Sequence, residues 1–206
     1  MSAPRIRTIA TLIALSGIVS SCLGVGSDAS RLTLTNVGRI PGINATSGAV
    51  VVNGVRASLA NLDGPVLGTV ASGNRLLVLG DSILAGTATR YGGAMCAGLV
   101  PLGWHVAVEA EAGQMIGFGR TVLRDRIYEG WNAAVVFLGT NYGGSATNYS
   151  RDLTAIVDAL APRPTLLLTA TLFKPVMQDV NAVIRTVASK YPNVVVLDWG
   201  TAAAQP

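Results

Sequence analysis

A chain of 206 residues, half of them apolar, can bury one good core and is short for two. Its formal charge of +4 comes from basic residues scattered singly, and only 5% of its residues are aromatic, which excludes a nucleic-acid footprint or a stacking platform for bases. One histidine and two cysteines, far apart in the chain, exclude a metal-ligand set, and no spacing implies a cofactor.

The first residues read as an export signal. "MSAPRIR" supplies a positive start, "TIATLIALSGIVSS" an apolar stretch, and small residues lead into Cys22. A membrane span needs about 20 apolar residues; Ser16 and Gly17 interrupt this stretch, so a cleaved signal is expected over a permanent span. Val19, Ser20, Ser21 and Cys22 also resemble a bacterial lipoprotein cleavage box, and acylation of Cys22 and ordinary cleavage both stay open. The protein is therefore expected to be exported to the cell envelope or beyond, with membrane contact only through a lipid anchor at Cys22. Removing or acylating Cys22 leaves Cys96 alone, so no disulfide is expected and Cys96 is assigned to core packing in a helix.

The chain divides into three regions: the signal over 1–22, an extension or linker with short strands over 23–72, and an α/β domain over 73–206. Within the second, from Ser27 to about Ser72, "RLTLTNVG", "GAVVVNGVRASL" and "GPVLGTV" mix β-branched residues with Gly, Asn and Pro. From Arg75 short apolar runs alternate with helical-period segments. Strands are expected at Leu76 to Leu79, Val106 to Ala110, Ala134 to Leu138, Thr165 to Thr169 and Val194 to Leu197. Helices are expected near Ile83 to Leu99, Phe118 to Glu129, Ser150 to Leu160 and Met177 to Tyr191. Strands apolar on both faces and joined by helices imply a three-layer α/β sandwich around a doubly wound parallel sheet of about five strands.

Ligands of such sheets gather beyond the carboxyl ends of the strands, where strand order reverses. Three loops stand at that edge: "GDS" at Gly80 to Ser82, "EAGQ" with Gly113, and "LGTNYGG" with Asn141. Singly, each has an ordinary explanation, as a helix cap, a turn glycine or a residue tolerant of left-handed geometry. Jointly they supply what acyl transfer needs, one nucleophile with several donors converging on the developing oxyanion.

"LGDSILAG", "EAEAGQ" and "FLGTN", in this order at the ends of successive expected strands, resemble the first three blocks of the SGNH (GDSL-type) hydrolases. The resemblance runs from about Arg75 to the C-terminus, where "YPNVVVLDW" is similar to the last strand of bacterial members, and is closest to SGNH domains accompanying surface-glycan acyltransferases. It implies a flavodoxin-like SGNH fold, Ser82 as nucleophile, and an oxyanion hole from the Ser82 and Gly113 main-chain N–H groups and the Asn141 side chain. The implied partner is an acylated small molecule or cell-surface glycan.

The family's Asp-x-x-His block has no counterpart after Asp198, so the resemblance implies a C-terminally truncated version. The one histidine, His105, opens the second strand whereas Ser82 comes after the first. With about 3.3 Å per strand residue the two should lie roughly 15 Å or more apart, beyond the reach of a general base. Asp81, Glu109, Glu111 and Asp198 are read as cap, turn or ordinary carboxylates rather than bases. Ester hydrolysis is thus expected to be very slow or absent. An impaired O-acyl or carbohydrate esterase and a non-catalytic acyl-glycan-binding module both remain open; "GFG" at Gly117 to Gly119 lacks the strand and the later acid of a dinucleotide site.

Overall fold

A computed structural model describes residues 62–204 together with the backbone of three earlier strands, Ser20–Cys22, Ala49–Val52 and Val55–Ser58. The apolar segment expected to be an export signal lies, up to residue 19, outside the described residues. No helix among the described residues is long and apolar enough to cross a membrane.

In chain order the strands are β1 (Ser20–Cys22), β2 (Ala49–Val52), β3 (Val55–Ser58), β4 (Leu62–Asp63), β5 (Arg75–Gly80), β6 (His105–Ala110), β7 (Ala133–Phe137), β8 (Thr165–Leu168) and β9 (Val194–Leu197). The helices are α1 (Leu67–Val70), α2 (Ser82–Ala85), α3 (Ala94–Leu99), α4 (Gly117–Arg126), α5 (Ala146–Leu160), α6 (Met177–Ala188) and α7 (Trp199–Ala202). The main sheet has the order β1-β6-β5-β7-β8-β9-β4, and β2 with β3 forms a separate antiparallel hairpin. Its five inner strands are parallel, as expected; β1 on β6 and β4 on β9 close the two edges antiparallel. The sequence gives no sign of those edge strands, because three and two residues carry no readable alternation.

The central strand explains the layering. Leu76, Leu77, Val78 and Leu79 are all buried, because helices cover both faces of β5. Leu77 and Leu79 share one core cluster with Leu153, Ile156, Val180 and Ile184 of α5 and α6, while Leu76 and Val78 belong to a second with Leu84, Trp104, Val106 and Val108. Each such aliphatic side chain taken out of water contributes about 1.5–3 kcal/mol.

Several helix boundaries differ from expectation, among them α4, which gives way to a 3-10 turn after Arg126. The expected helix from Ile83 to Leu99 is two, since α2 stops at Gly86 and the left-handed pair Gly92 and Gly93 turns the chain before α3. The expected Ser150 start of α5 moves back to Ala146, where the Ser145 hydroxyl accepts the Asn148 N–H at 3.3 Å as an N-cap. α6 ends three residues early, at Ala188. Cys96 packs against the second core cluster as expected of a helical cysteine, but it is disulfide-bonded, which overturns the expectation that no cross-link forms. Both α3 and β1 pack on β6, a proximity that sequence spacing does not reveal.

Candidate active site

The first three inner strands run level at their carboxyl ends, with Gly80 opposite both Ala110 and Phe137. The chain steps from β5 to β6 on one side and then crosses back to β7 on the other, so the switch point lies between β5 and β7. The three loops bearing Ser82, Gly113 and Asn141 leave from this edge.

Hydrogen bonds cross-tie them. The Glu111 N–H donates to the Gly80 carbonyl at 3.2 Å, joining the second loop to the first. Asp81, fully buried, is the hub. Its N–H donates to the Phe137 carbonyl at 3.1 Å; its carboxylate accepts the Ile83 N–H at 3.0 Å and the Thr140 N–H at 3.2 Å. The Asn141 carboxamide donates to the Gln114 carbonyl at 3.1 Å, joining the third loop to the second. Gly80 is required here by close approach: a Cβ on it would stand 2.5 Å from that of Leu84. Gly113 turns its loop with φ of +79°, a left-handed geometry that side chains disfavour.

Ser82 is the first residue of α2, capped by Asp81, and its side chain is exposed at the sheet edge. Among the described residues its hydroxyl has no hydrogen-bond partner, and neither its main-chain N–H nor that of Gly113 has an acceptor. The Asn141 amide spends one of its two N–H groups on Gln114. The edge therefore carries an exposed hydroxyl and, among the described residues, uncommitted donors on three neighbouring loops.

The other titratable candidates are engaged elsewhere. His105 opens β6 opposite Arg75, at the amino end of the sheet. Glu109 pairs with Arg126, and Glu111 accepts from Gln114 at 3.1 Å. Asp198 caps α7 and takes bonds from Thr169, Thr201 and Arg185, the cap role expected of it. Burial alone would raise its carboxyl, but those hydroxyls and that cation hold it below the usual range. No group of His, Cys, Asp and Glu among the described residues is placed to hold a metal.

Two features beyond sequence reasoning complete the edge. Tyr149 is buried beneath it, and burial, then the Asp81 charge, push its phenol far above the ordinary range, so it stays neutral. A cavity of about 340 Å³ opens beside Asn141, lined among others by Met115, Ile116, Tyr142, Asn148 and Asp152. Ile83, Met115, Leu172 and Phe173, from loops and helix starts that come after three of the parallel strands, are exposed apolar residues.

No protein-family model matches the sequence, and no curated protein matches it. Solved structures do. The psychrotrophic esterase EstA of a Pseudoalteromonas species aligns at 17% identity over 60% of this chain and 77% of its own, with a TM-score of 0.50. A lipase/acylhydrolase of Enterococcus faecalis aligns at 18% identity over 65% of this chain and 80% of its own, also at 0.50. The C-terminal catalytic domain of Streptococcus pneumoniae peptidoglycan O-acetyltransferase A aligns at 21% over 63% and 72%, at 0.48. With helices on both faces of a parallel sheet and a Gly-Asp-Ser turn leaving its central strand at the switch point, this chain has the fold of the SGNH (GDSL-type) hydrolases.

Proposed function

We propose that the protein is an exported SGNH-type serine ester hydrolase of the O-acyl or carbohydrate esterase class, with slow chemistry. The observation that carries this is the cross-tied edge: an exposed Ser82 hydroxyl beside three loops held together by Asp81 and Asn141, with main-chain donors left uncommitted. In this reading the Ser82 Oγ attacks the acyl carbonyl carbon, and the developing oxyanion accepts from the Ser82 and Gly113 N–H groups and the Asn141 amide. Collapse expels the alcohol, which takes up the serine proton through water, and leaves an acyl-serine that water hydrolyses to the carboxylic acid and free Ser82. The apolar residues Ile83, Met115, Leu172 and Phe173 along the same edge suit an acyl-bearing ligand.

The proton acceptor sets the rate in this reading. With His105 at the amino end of the sheet, no histidine among the described residues is placed to receive the serine proton. An oxyanion hole and binding without a complete triad give only about 10³ to 10⁴ over water. The test is phosphonylation of Ser82 by a fluorophosphonate, together with p-nitrophenyl acetate turnover. A Ser82 adduct with turnover far below that of ordinary esterases is expected. Esterase-like turnover abolished by Ser82→Ala would overturn the slow-chemistry part.

A second reading, a non-catalytic module that holds acylated glycans, draws on the same Ser82 hydroxyl, unpartnered among the described residues. Glycan binding that survives Ser82→Ala, with no fluorophosphonate adduct, selects it. Export is supported by the cross-link at Cys96, because disulfides persist in oxidising compartments. The chain's other cysteine is Cys22, so an intramolecular cross-link excludes both acylation of Cys22 and its removal with the leader.

A further inference from the structure

We infer that the cavity beside Asn141 and the groove that continues from it over α4 form a subsite for an anionic glycan, the alcohol side of the ester; this rests on the reading of Ser82 as the nucleophile of an ester hydrolase. The cavity, about 340 Å³, is near the small end of ligand-binding cavities, about 300–1,000 Å³, and suits one ring rather than a long chain. Its lining is mixed. Tyr142, partly buried and set edge-on to Tyr149 at 5.8 Å and 82°, gives an aromatic wall, and Met115 and Ile116 extend it. Asn148 and Asp152 add polar lining. An alkyl chain seated there would strip water from the Asn148 amide and from the Asp152 oxygen that Arg120 and Arg151 leave open, whereas ring hydroxyls would bond both.

The adjoining groove indicates the charge of the ligand. Gly117 belongs to the cavity and also to this second hollow of about 380 Å³, lined by Gly117, Arg120, Thr121 and Arg124. The Arg120 and Arg124 side chains are 52% and 71% exposed. Each has one acidic neighbour, Asp152 at 2.9 Å and Asp125 at 2.8 Å, and keeps guanidinium N–H groups to spare. A strand whose esterified ring sits beside Asn141 would pass its next sugars over α4, where a carboxylate or phosphate substituent finds two guanidinium groups.

Binding is measured by titration calorimetry on the full chain with three probes: oligogalacturonate, an uncharged maltooligosaccharide of equal length, and phosphatidylglycerol vesicles. Oligogalacturonate should bind about tenfold or more tightly than the neutral oligomer, and added salt should narrow the gap. Arg120→Gln with Arg124→Gln should erase that preference, and Tyr142→Ala should weaken both oligomers, with thermal melts showing that each variant folds. Equal affinity for the two oligomers, or indifference to the arginine changes, overturns the inference; tight vesicle binding lost with the same arginines and no oligomer binding reassigns the groove to a lipid surface. Ser82 phosphonylation, run on the same variants, should be unchanged by the arginine substitutions. Absence of oligomer binding by the parent protein with Ser82 labelled refutes the subsite alone, and an unlabelled Ser82 with intact binding refutes the hydrolase reading alone.

Discussion

The carboxylate of Asp81 accepts the main-chain N–H of Thr140 at 3.2 Å, across the point where the order of the parallel strands reverses. With the Ile83 N–H on its other oxygen, this one buried side chain both starts α2 and fastens the loop that carries Asn141. Hydrogen bonds to a charged group contribute about 1.5–3 kcal/mol each. Asp81→Ala should therefore lower stability by about 3–6 kcal/mol in urea denaturation. It should also abolish Ser82 phosphonylation under conditions where the variant is folded.

Gly80→Ala should act on the same edge through packing. The added methyl group would meet Leu84 at 2.5 Å, and α2 must shift to admit it. A loss of about 1–3 kcal/mol is expected from overpacking of this kind. A melting temperature equal to that of the parent would show that α2 is looser than its burial implies.

Thr140→Val should have the opposite sign. The Thr140 hydroxyl oxygen is buried without a partner among the described residues, while the main-chain N–H that Asp81 uses is indifferent to the side chain. Leaving a buried polar group unsatisfied costs about 1–3 kcal/mol, so the nearly isosteric valine should stabilise by about 1 kcal/mol. Urea midpoints of the two proteins decide it.

Acid should weaken the β9 side of the sheet's carboxyl edge through Asp198. Its folded carboxyl titrates below the ordinary 3.8, held there against burial by Thr169, Thr201 and Arg185. A carboxyl lowered in the folded state stabilises above its unfolded value, and that contribution disappears as pH falls through the folded value. Unfolding midpoints tracked downward from neutral pH should therefore fall below about pH 4 less steeply in Asp198→Asn than in the parent.

Cys96 should resist thiol reagents in the native, unreduced protein and become reactive after reduction, which should also lower the melting temperature. Intact mass under non-reducing conditions checks it. A mass carrying acyl chains at Cys22, with Cys96 titratable, would reverse the assignment of the cross-link.

The sequence by itself determined the parallel sheet and the three loops. Runs such as Leu76 to Leu79 are apolar on both faces, and only a strand covered on both sides by helices buries them; the breaks at Gly80, Gly113 and Asn141 are local and visible. What only the tertiary structure decided are relations between distant residues. Asp81 with Thr140, Asn141 with Gln114, the cavity under Tyr142, the edge strands β1 and β4, and the cross-link at Cys96 all depend on which segments become neighbours. Periodicity reports which face of an element is buried, but it carries no record of what lies against that face.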